Sequence, residues 1–283
     1  MMPPGSAFTE PATTASLYRD SDRLATRTSA LHRAKTHGRA VADVIADLAH
    51  RELGDARRSV VADIGCGRGT SSHVLAERLR PCRLLAIDAS AAMLAAARAR
   101  LSTADTASHT TVEFVQADFH HLPLPDAGCD LAVAAFCLYH APDPRAVIAE
   151  IARILAPGGA AILVTKSADS YRELDQLVAD AGLDPHAVER PSLYESAHSG
   201  NLAALTTPIL PVRHVEHEEH RFVFTGLDHV AAYLATTPKY ALPPAVAADP
   251  DAITAALRAA VPDRPVVATS IITYLTATRG DLS

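Results

Sequence analysis

The 283-residue chain has no tryptophan, and aromatic residues make up only 5% of it. With 48% hydrophobic residues, its core must be built mainly from aliphatic side chains. Four cysteines (Cys66, Cys82, Cys129, Cys137) form no C-x-x-C pair and read as reduced thiols of a cytoplasmic protein. No apolar run reaches membrane-spanning length: the nearest, over 84–101, contains Asp88, Arg98 and Arg100. A basic excess is lacking too, since the net charge is −6, so a nucleic-acid partner is not expected. The first residues, Met-Met-Pro-Pro-Gly-Ser, lack the basic and apolar regions of a secretion signal.

What the chain does have is Val60-Val61-Ala62-Asp63-Ile64-Gly65-Cys66-Gly67-Arg68-Gly69-Thr70, a strand–turn–helix pattern with a carboxylate ahead of three glycines. A turn without Cβ atoms lets a ligand lie against the backbone. A dinucleotide site needs G-x-G-x-x-G, but here the spacing is G-x-G-x-G. A P-loop needs a lysine after its last glycine, and Gly69 is followed by Thr70-Ser71-Ser72. The carboxylate Asp63 disfavours a polyphosphate and favours a ligand with positive charge. S-adenosylmethionine, with a sulfonium, an ammonium and no phosphate, fits.

From Val60 onward the pattern alternates strand and helix, the signature of a parallel sheet covered on both faces. Strands are expected over 60–64, 83–88, 111–117, 130–136 and 160–165, with helices over 71–80, 91–101 and 145–155. Before the glycine turn, 1–16 reads as loose and 29–50 as one helix ended by Gly54. After it, a helix is expected over 171–181, an irregular cap over 183–211, a strand over 212–224, a helix over 227–236 and a last strand over 266–277.

Asp63-Ile64-Gly65-Cys66-Gly67-Arg68-Gly69-Thr70 resembles motif I of the class I S-adenosylmethionine-dependent methyltransferases, and four later segments resemble the following motifs in order, together covering about 58–166. The wording is similar to bacterial secondary-metabolite members of the methyltransferase type 11 group, of the kind found in antibiotic biosynthesis. The resemblance implies an α/β fold: a Rossmann-like, seven-stranded, mostly parallel sheet with an antiparallel last strand, an N-terminal helical lid and a small cap. It divides the chain into a lid segment (1–55), a cofactor-binding core (56–170) and a cap with closing antiparallel strands (171–283).

The expected cofactor site follows residue by residue. Gly65, Cys66 and Gly67 form the turn, and Asp88, at the end of the second strand, can accept bonds from both ribose hydroxyls. Ala89 leaves room for the adenine ring, and Met93 can pack on it, although Met there is often core. The resemblance adds Asp118 and Phe119 as an adenine clamp, Asp63 near the cofactor ammonium, a strand-end carbonyl at Ala135, and Tyr18 in the lid segment. His140 is the candidate catalytic base if the acceptor must lose a proton, with His198 second.

Lys35 and Arg27 are candidates for the cofactor carboxylate, and Tyr18, Tyr139, Tyr194, Phe222, Tyr233 and Tyr240 for a substrate wall. His214, Glu216, Glu218 and His220 share one face of a strand, but they read as a solvated edge rather than a metal site, so no metal is expected. The expected activity is methyl transfer to an N, O or C atom of a small organic acceptor, without nucleic-acid or membrane partners and with a homodimer as one allowed assembly. The rivals are a protein or RNA methyltransferase and a non-catalytic cofactor-binding protein.

Overall fold

In the computed structural model, residues 7–19, 21–102 and 109–280 are described. They form two compact units, neither continuous in sequence: one comprises 1–38, 167–195 and 218–272, the other 39–166, 196–217 and 273–283.

The second unit carries the alternating strands and helices. β2 (Val60–Ile64), β3 (Arg83–Asp88), β4 (Thr111–Gln116), β5 (Cys129–Ala135) and β6 (Leu155–Lys166) pair side by side and parallel. The middles of β2, β3, β5 and β6 are apolar on both faces, and Val61, Ile64, Leu84, Leu85, Leu131, Val133 and Ile162 are fully buried. Each such side chain contributes roughly 1.5–3 kcal/mol of burial. The intervening helices are α3 (Val41–Leu53), α4 (Thr70–Leu79), α5 (Ala91–Ser102) and α6 (Pro144–Ile154). α6 opens as its sequence suggests: Asp143 accepts a bond from the Arg145 N–H, and Pro144 fills the first turn. α4 ends at Leu79, two residues before Pro81, because Arg80 takes a left-handed conformation (φ 51).

The other unit holds α1 (Pro11–Tyr18), α2 (Ser21–Ala34), β1 (Lys35–His37), α7 (Arg172–Asp180), α9 (Leu227–Leu234) and α10 (Pro250–Ala260). Its core gathers Tyr171, Leu174, Phe222, Phe224, Leu227, Tyr233, Ile253 and Leu257. β7 (Val212–Phe224) and β8 (Val266–Thr278) each have residues in both units, and α8 (Leu202–Thr206) is a short turn of helix within 183–211. The strand order is β1-β7-β8-β6-β5-β2-β3-β4. β1 runs antiparallel to β7. β8 runs antiparallel to β6, with Arg279 bonded to Gly158 and Gly159 while Ile271 accepts from Ser167.

Several expectations are corrected. The expected seven strands are eight, because Lys35–His37 forms an extra edge strand whose Lys35 pairs with Phe222. The single helix expected over 29–50 is therefore two helices with that strand between them. The break is fixed at Gly38 (φ +96), where a Cβ would stand 2.3 Å from the His220 ring. Residues 11–18 are helical rather than loose, with Phe8 buried just before them, and 1–6 lie outside the described residues. Between α5 and β4, 103–108 lie outside them as well. α10 was not anticipated: Asp249 caps it, accepting from the Asp251 and Ala252 N–H groups. No described helix is long and apolar enough to cross a membrane.

Candidate active site

The site is built at the carboxyl ends of β2, β3, β4 and β5. β2 ends at Ile64, and the chain turns through Gly65 (φ +65) and Gly67 (φ +54) into α4. Gly65 is required by packing, since a Cβ there would lie 2.6 Å from the Cys137 Cβ. At Gly67 a Cβ would meet nothing within 4 Å. That bare backbone faces open space, which suits the close approach of a ligand. The turn is tied to β3 by the Cys66 N–H, which donates to the Ile87 carbonyl at 2.9 Å.

Asp88 braces the same turn. Its Oδ2 accepts from the Gly67 N–H at 2.9 Å, and its Oδ1 from the Ser90 N–H at 2.8 Å. Burial pushes the carboxyl above its usual range, against the pull of these two bonds. Ser90 caps α5, its Oγ accepting from the Met93 N–H at 3.3 Å. Ala89 is exposed beside this carboxylate, whereas Met93 is buried in the core. The Asp88 carbonyl in turn accepts from the Ala117 N–H at 3.2 Å, so the ends of β3 and β4 are joined.

Asp63 is only 1% exposed, and Ser72 Oγ donates to its Oδ2 at 2.5 Å. Burial pushes this carboxyl up to about 7; the Ser72 bond works the other way and the Asp88 charge adds to the rise. A buried acid with a single hydroxyl partner beside a backbone-lined opening suits a cationic ligand group. Burial also pushes the Cys66 and Cys137 thiols far up, so neither is a nucleophile, and Cys137 Sγ donates to the Ile64 carbonyl.

Asp118 sits two residues past β4, and its Oδ1 accepts from both the His120 N–H (2.9 Å) and the His120 ring Nδ1–H (2.7 Å). Burial alone would raise this carboxyl, but those bonds hold it below its usual range. Oδ2 remains available among the described residues. Phe119 packs on the His120 ring with centroids 4.8 Å apart. The loop behind it is pinned by Arg153, whose guanidinium donates to the carbonyls of Leu122 (2.9 Å) and Leu124 (2.8 Å) and to Asp126 and Glu150.

Past β5, Ala135 is followed by Phe136 in a left-handed conformation (φ 57), a strained geometry for a bulky residue. His140 closes a short 3-10 turn (Leu138–His140), its ring 4.7 Å from the Tyr139 ring, and Ser196 Oγ donates to the Tyr139 carbonyl at 3.0 Å. His198 Nδ1 accepts from the Gly200 N–H at 3.1 Å, a bond local to its own loop.

Direct contacts thus bring together Gly65, Cys66, Gly67, Asp63, Asp88 and the strand ends carrying Asp118 and Cys137. Tyr18, Arg27 and Lys35 belong to the other unit, where Tyr18 ends α1 half-buried. The Ser72 bond, the left-handed conformation of Phe136 and the Arg153 clamp were not foreseen. Ser72 was visible only as one of the residues that excluded a P-loop. On β7, Glu216 is engaged by Arg39, and among the described residues no group of three or more His, Cys, Asp or Glu is arranged to hold a metal.

A family model described as a methyltransferase domain matches residues 62–163, the stretch that builds this site. The chain is 37% identical over 125 residues to a malonyl-acyl-carrier-protein O-methyltransferase of Marinomonas sp. (strain MWYL1), a match covering 44% of each protein, so it spans less than half of that relative's length. A trans-aconitate 2-methyltransferase of Acidovorax sp. (strain JS42) is 30% identical over 209 residues, 71% of this chain and 74% of that protein. Among solved structures, the 4+2 cyclase SpnF superposes with a TM-score of 0.60 at 20% identity over 99% of this chain and 98% of its own, a likeness of fold. The buried acid, the bare turn braced by Asp88 and the length of the Acidovorax match converge: the chain belongs to the class I S-adenosylmethionine-dependent methyltransferases.

Proposed function

We propose that the protein transfers a methyl group to an O, N or C atom of a small organic acceptor, of the kind handled in natural-product biosynthesis. The observation that carries this reading is the Gly67 turn: its amide is held by Asp88, its Cβ direction is open, and the buried Asp63 lies at the end of the same strand. When bound, S-adenosylmethionine supplies an already activated methyl group, displaced in line by the acceptor.

The chain's own residues then bind and orient. Asp88 keeps lone pairs for the ribose hydroxyls beyond its two backbone bonds, and Asp63 opposes the ammonium. The Asp118 Oδ2 and the Phe119 N–H take the adenine edge, Ala89 borders its ring with Met93 in the core rather than on the ring, and the Ala135 carbonyl accepts from the amine. All of these cofactor contacts lie within 56–170. Alignment of this kind supplies up to roughly 7–11 kcal/mol of barrier reduction. His140 serves as base for acceptors that must lose a proton.

The name of the Acidovorax relative supports a small organic acid as acceptor, and that of the Marinomonas relative supports an oxygen atom and, as second reading, a carrier-protein-bound acyl group. Four free cysteines support a cytoplasmic setting. The test is S-adenosylhomocysteine production with pools of small carboxylates, phenols and amines, with malonyl carrier protein in a separate arm. Turnover with a small pool supports the first reading, and turnover with the carrier protein alone supports the second. Cofactor binding without any turnover would leave a non-catalytic binder. His140→Ala should keep cofactor affinity within about twofold while slowing turnover.

A further inference from the structure

Both donors to Asp118 Oδ1 come from one residue: the His120 backbone N–H at 2.9 Å and the His120 ring Nδ1–H at 2.7 Å. The first closes a local turn, which the His121 N–H reinforces by donating to the Asp118 carbonyl at 3.0 Å. That turn does not need the second. The ring bond ties a side chain that is 64% exposed to one that is only 28% exposed. The imidazole is itself held by the Phe119 ring, whose centroid lies 4.8 Å away at an interplanar angle of 42°.

An exposed aspartate ordinarily samples several rotamers, and a ligand that needs one of them bears the cost of fixing it. Here the fold has already fixed it. Because the two donors converge on Oδ1, Oδ2 keeps its lone pairs for a ligand. An ionised carboxylate accepts and cannot donate, and the same bonds hold Asp118 below its usual range. Its natural complement is an N–H group such as an amine on a flat ring. The carboxylate also fixes the imidazole: Nδ1 carries the proton, which leaves Nε2 as the acceptor of the neutral ring.

We propose that His120 is the positioning residue for Asp118, its Nδ1–H fixing the carboxylate so that Oδ2 is presented to the exocyclic amine of the cofactor's adenine, and that the protein thereby selects a 6-amino purine. This role rests on Asp118 being the adenine ligand, as proposed above. His120 touches no part of the cofactor and acts through the carboxylate alone.

The test is calorimetric titration of the full-length protein with S-adenosylhomocysteine and with its 6-deamino analogue, which carries hydrogen in place of the amine and keeps the ring nitrogens. The wild type should prefer S-adenosylhomocysteine by about tenfold or more, and Asp118→Ala should cut the preference to within about twofold. His120→Phe keeps an aromatic ring beside Phe119 and loses the Nδ1–H, and its preference should fall to about threefold or less. His120→Asn places an amide N–H where Nδ1 stands and should restore the wild-type preference. His120→Gln, whose amide stands where Nε2 does, should not. A role confined to packing or to the local turn would weaken both ligands alike and leave their ratio unchanged. The proposal alone is overturned if Asp118→Ala loses the preference while His120→Phe keeps it, or if the Asn and Gln variants behave alike. It falls together with the adenine assignment if the wild type shows no preference or Asp118→Ala retains it, and together with the cofactor site if neither ligand binds.

Discussion

The backbone N–H of Gly67 donates to Asp88 Oδ2 at 2.9 Å, joining residues twenty-one positions apart across the ends of two neighbouring strands. One carboxylate thereby shapes the turn and stands at its mouth. Asp88→Ala should weaken S-adenosylhomocysteine binding at least tenfold, about 1.4 kcal/mol, in calorimetric titration. Asp88→Asn should lose most of that as well, because its NH2 cannot accept, leaving one amide oxygen for either the Gly67 or the Ser90 N–H. An unchanged isotherm in both variants would remove Asp88 from the site.

Gly67 offers a matched comparison with Gly182. Both have positive φ (54 and 68), and a Cβ at either meets nothing within 4 Å. Left-handed backbone costs a non-glycine residue about 1–2 kcal/mol. Gly67→Ala and Gly182→Ala should therefore lower stability by similar amounts in chemical denaturation. Only Gly67→Ala should also lose cofactor affinity, tenfold or more, since its methyl group enters the space reserved for the ligand.

Asp63 sets a pH dependence with a definite sign. Its carboxyl is raised to about 7 in the fold, chiefly by burial, while the unfolded chain releases the same proton near 4. The stability it contributes is complete below about 4 and disappears as pH rises through about 7. The difference in unfolding free energy between wild type and Asp63→Asn should follow that window, with the wild type losing ground towards higher pH. Taking the difference removes the opposing slope of Glu113, Asp118 and Glu150, whose carboxyls are held low. A difference that stays flat between about pH 4 and 8 would contradict the buried-acid account.

Arg153 is the pin of the loop that begins at Asp118-Phe119. Arg153→Met should free the Leu122 and Leu124 carbonyls and leave Glu150 holding only the Leu122 N–H. Thermal melting should fall by roughly 4 °C or more. KM for the cofactor should rise while kcat changes less, the split expected when a residue positions a binding loop. Equal KM in variant and wild type would assign Arg153 to stability alone.

Much of the core was legible because its rules are local. β2 and β3 coincide with the apolar runs that end in Asp63-Ile64 and Asp88, and Ser90 and Asp143 cap the helices they precede. The glycine spacing separated one cofactor class from two others. What could not be read depends on partners distant in sequence. Lys35-Thr36-His37 is a strand only because Phe222 and Arg221 offer an edge to it. Ser72 matters because one helical turn brings it over Asp63, and no motif announces that bond. Tyr171, Tyr194 and the pair Tyr233 and Tyr240 come from three separate stretches, so their grouping exists only after folding. Asp118 shows the reverse case: the strand-end position was foreseen, but its engagement with His120 was not.

The chain passes from one compact unit to the other five times, between 38 and 39, 166 and 167, 195 and 196, 217 and 218, and 272 and 273. No single cut yields either unit whole. A fragment ending at 272 forfeits the last strand segment of the methyltransferase core while keeping all of its partner, and one beginning at 39 does the opposite damage. Dissection of this protein therefore calls for point substitutions or circular permutation, and deletion series would report on folding rather than on catalysis.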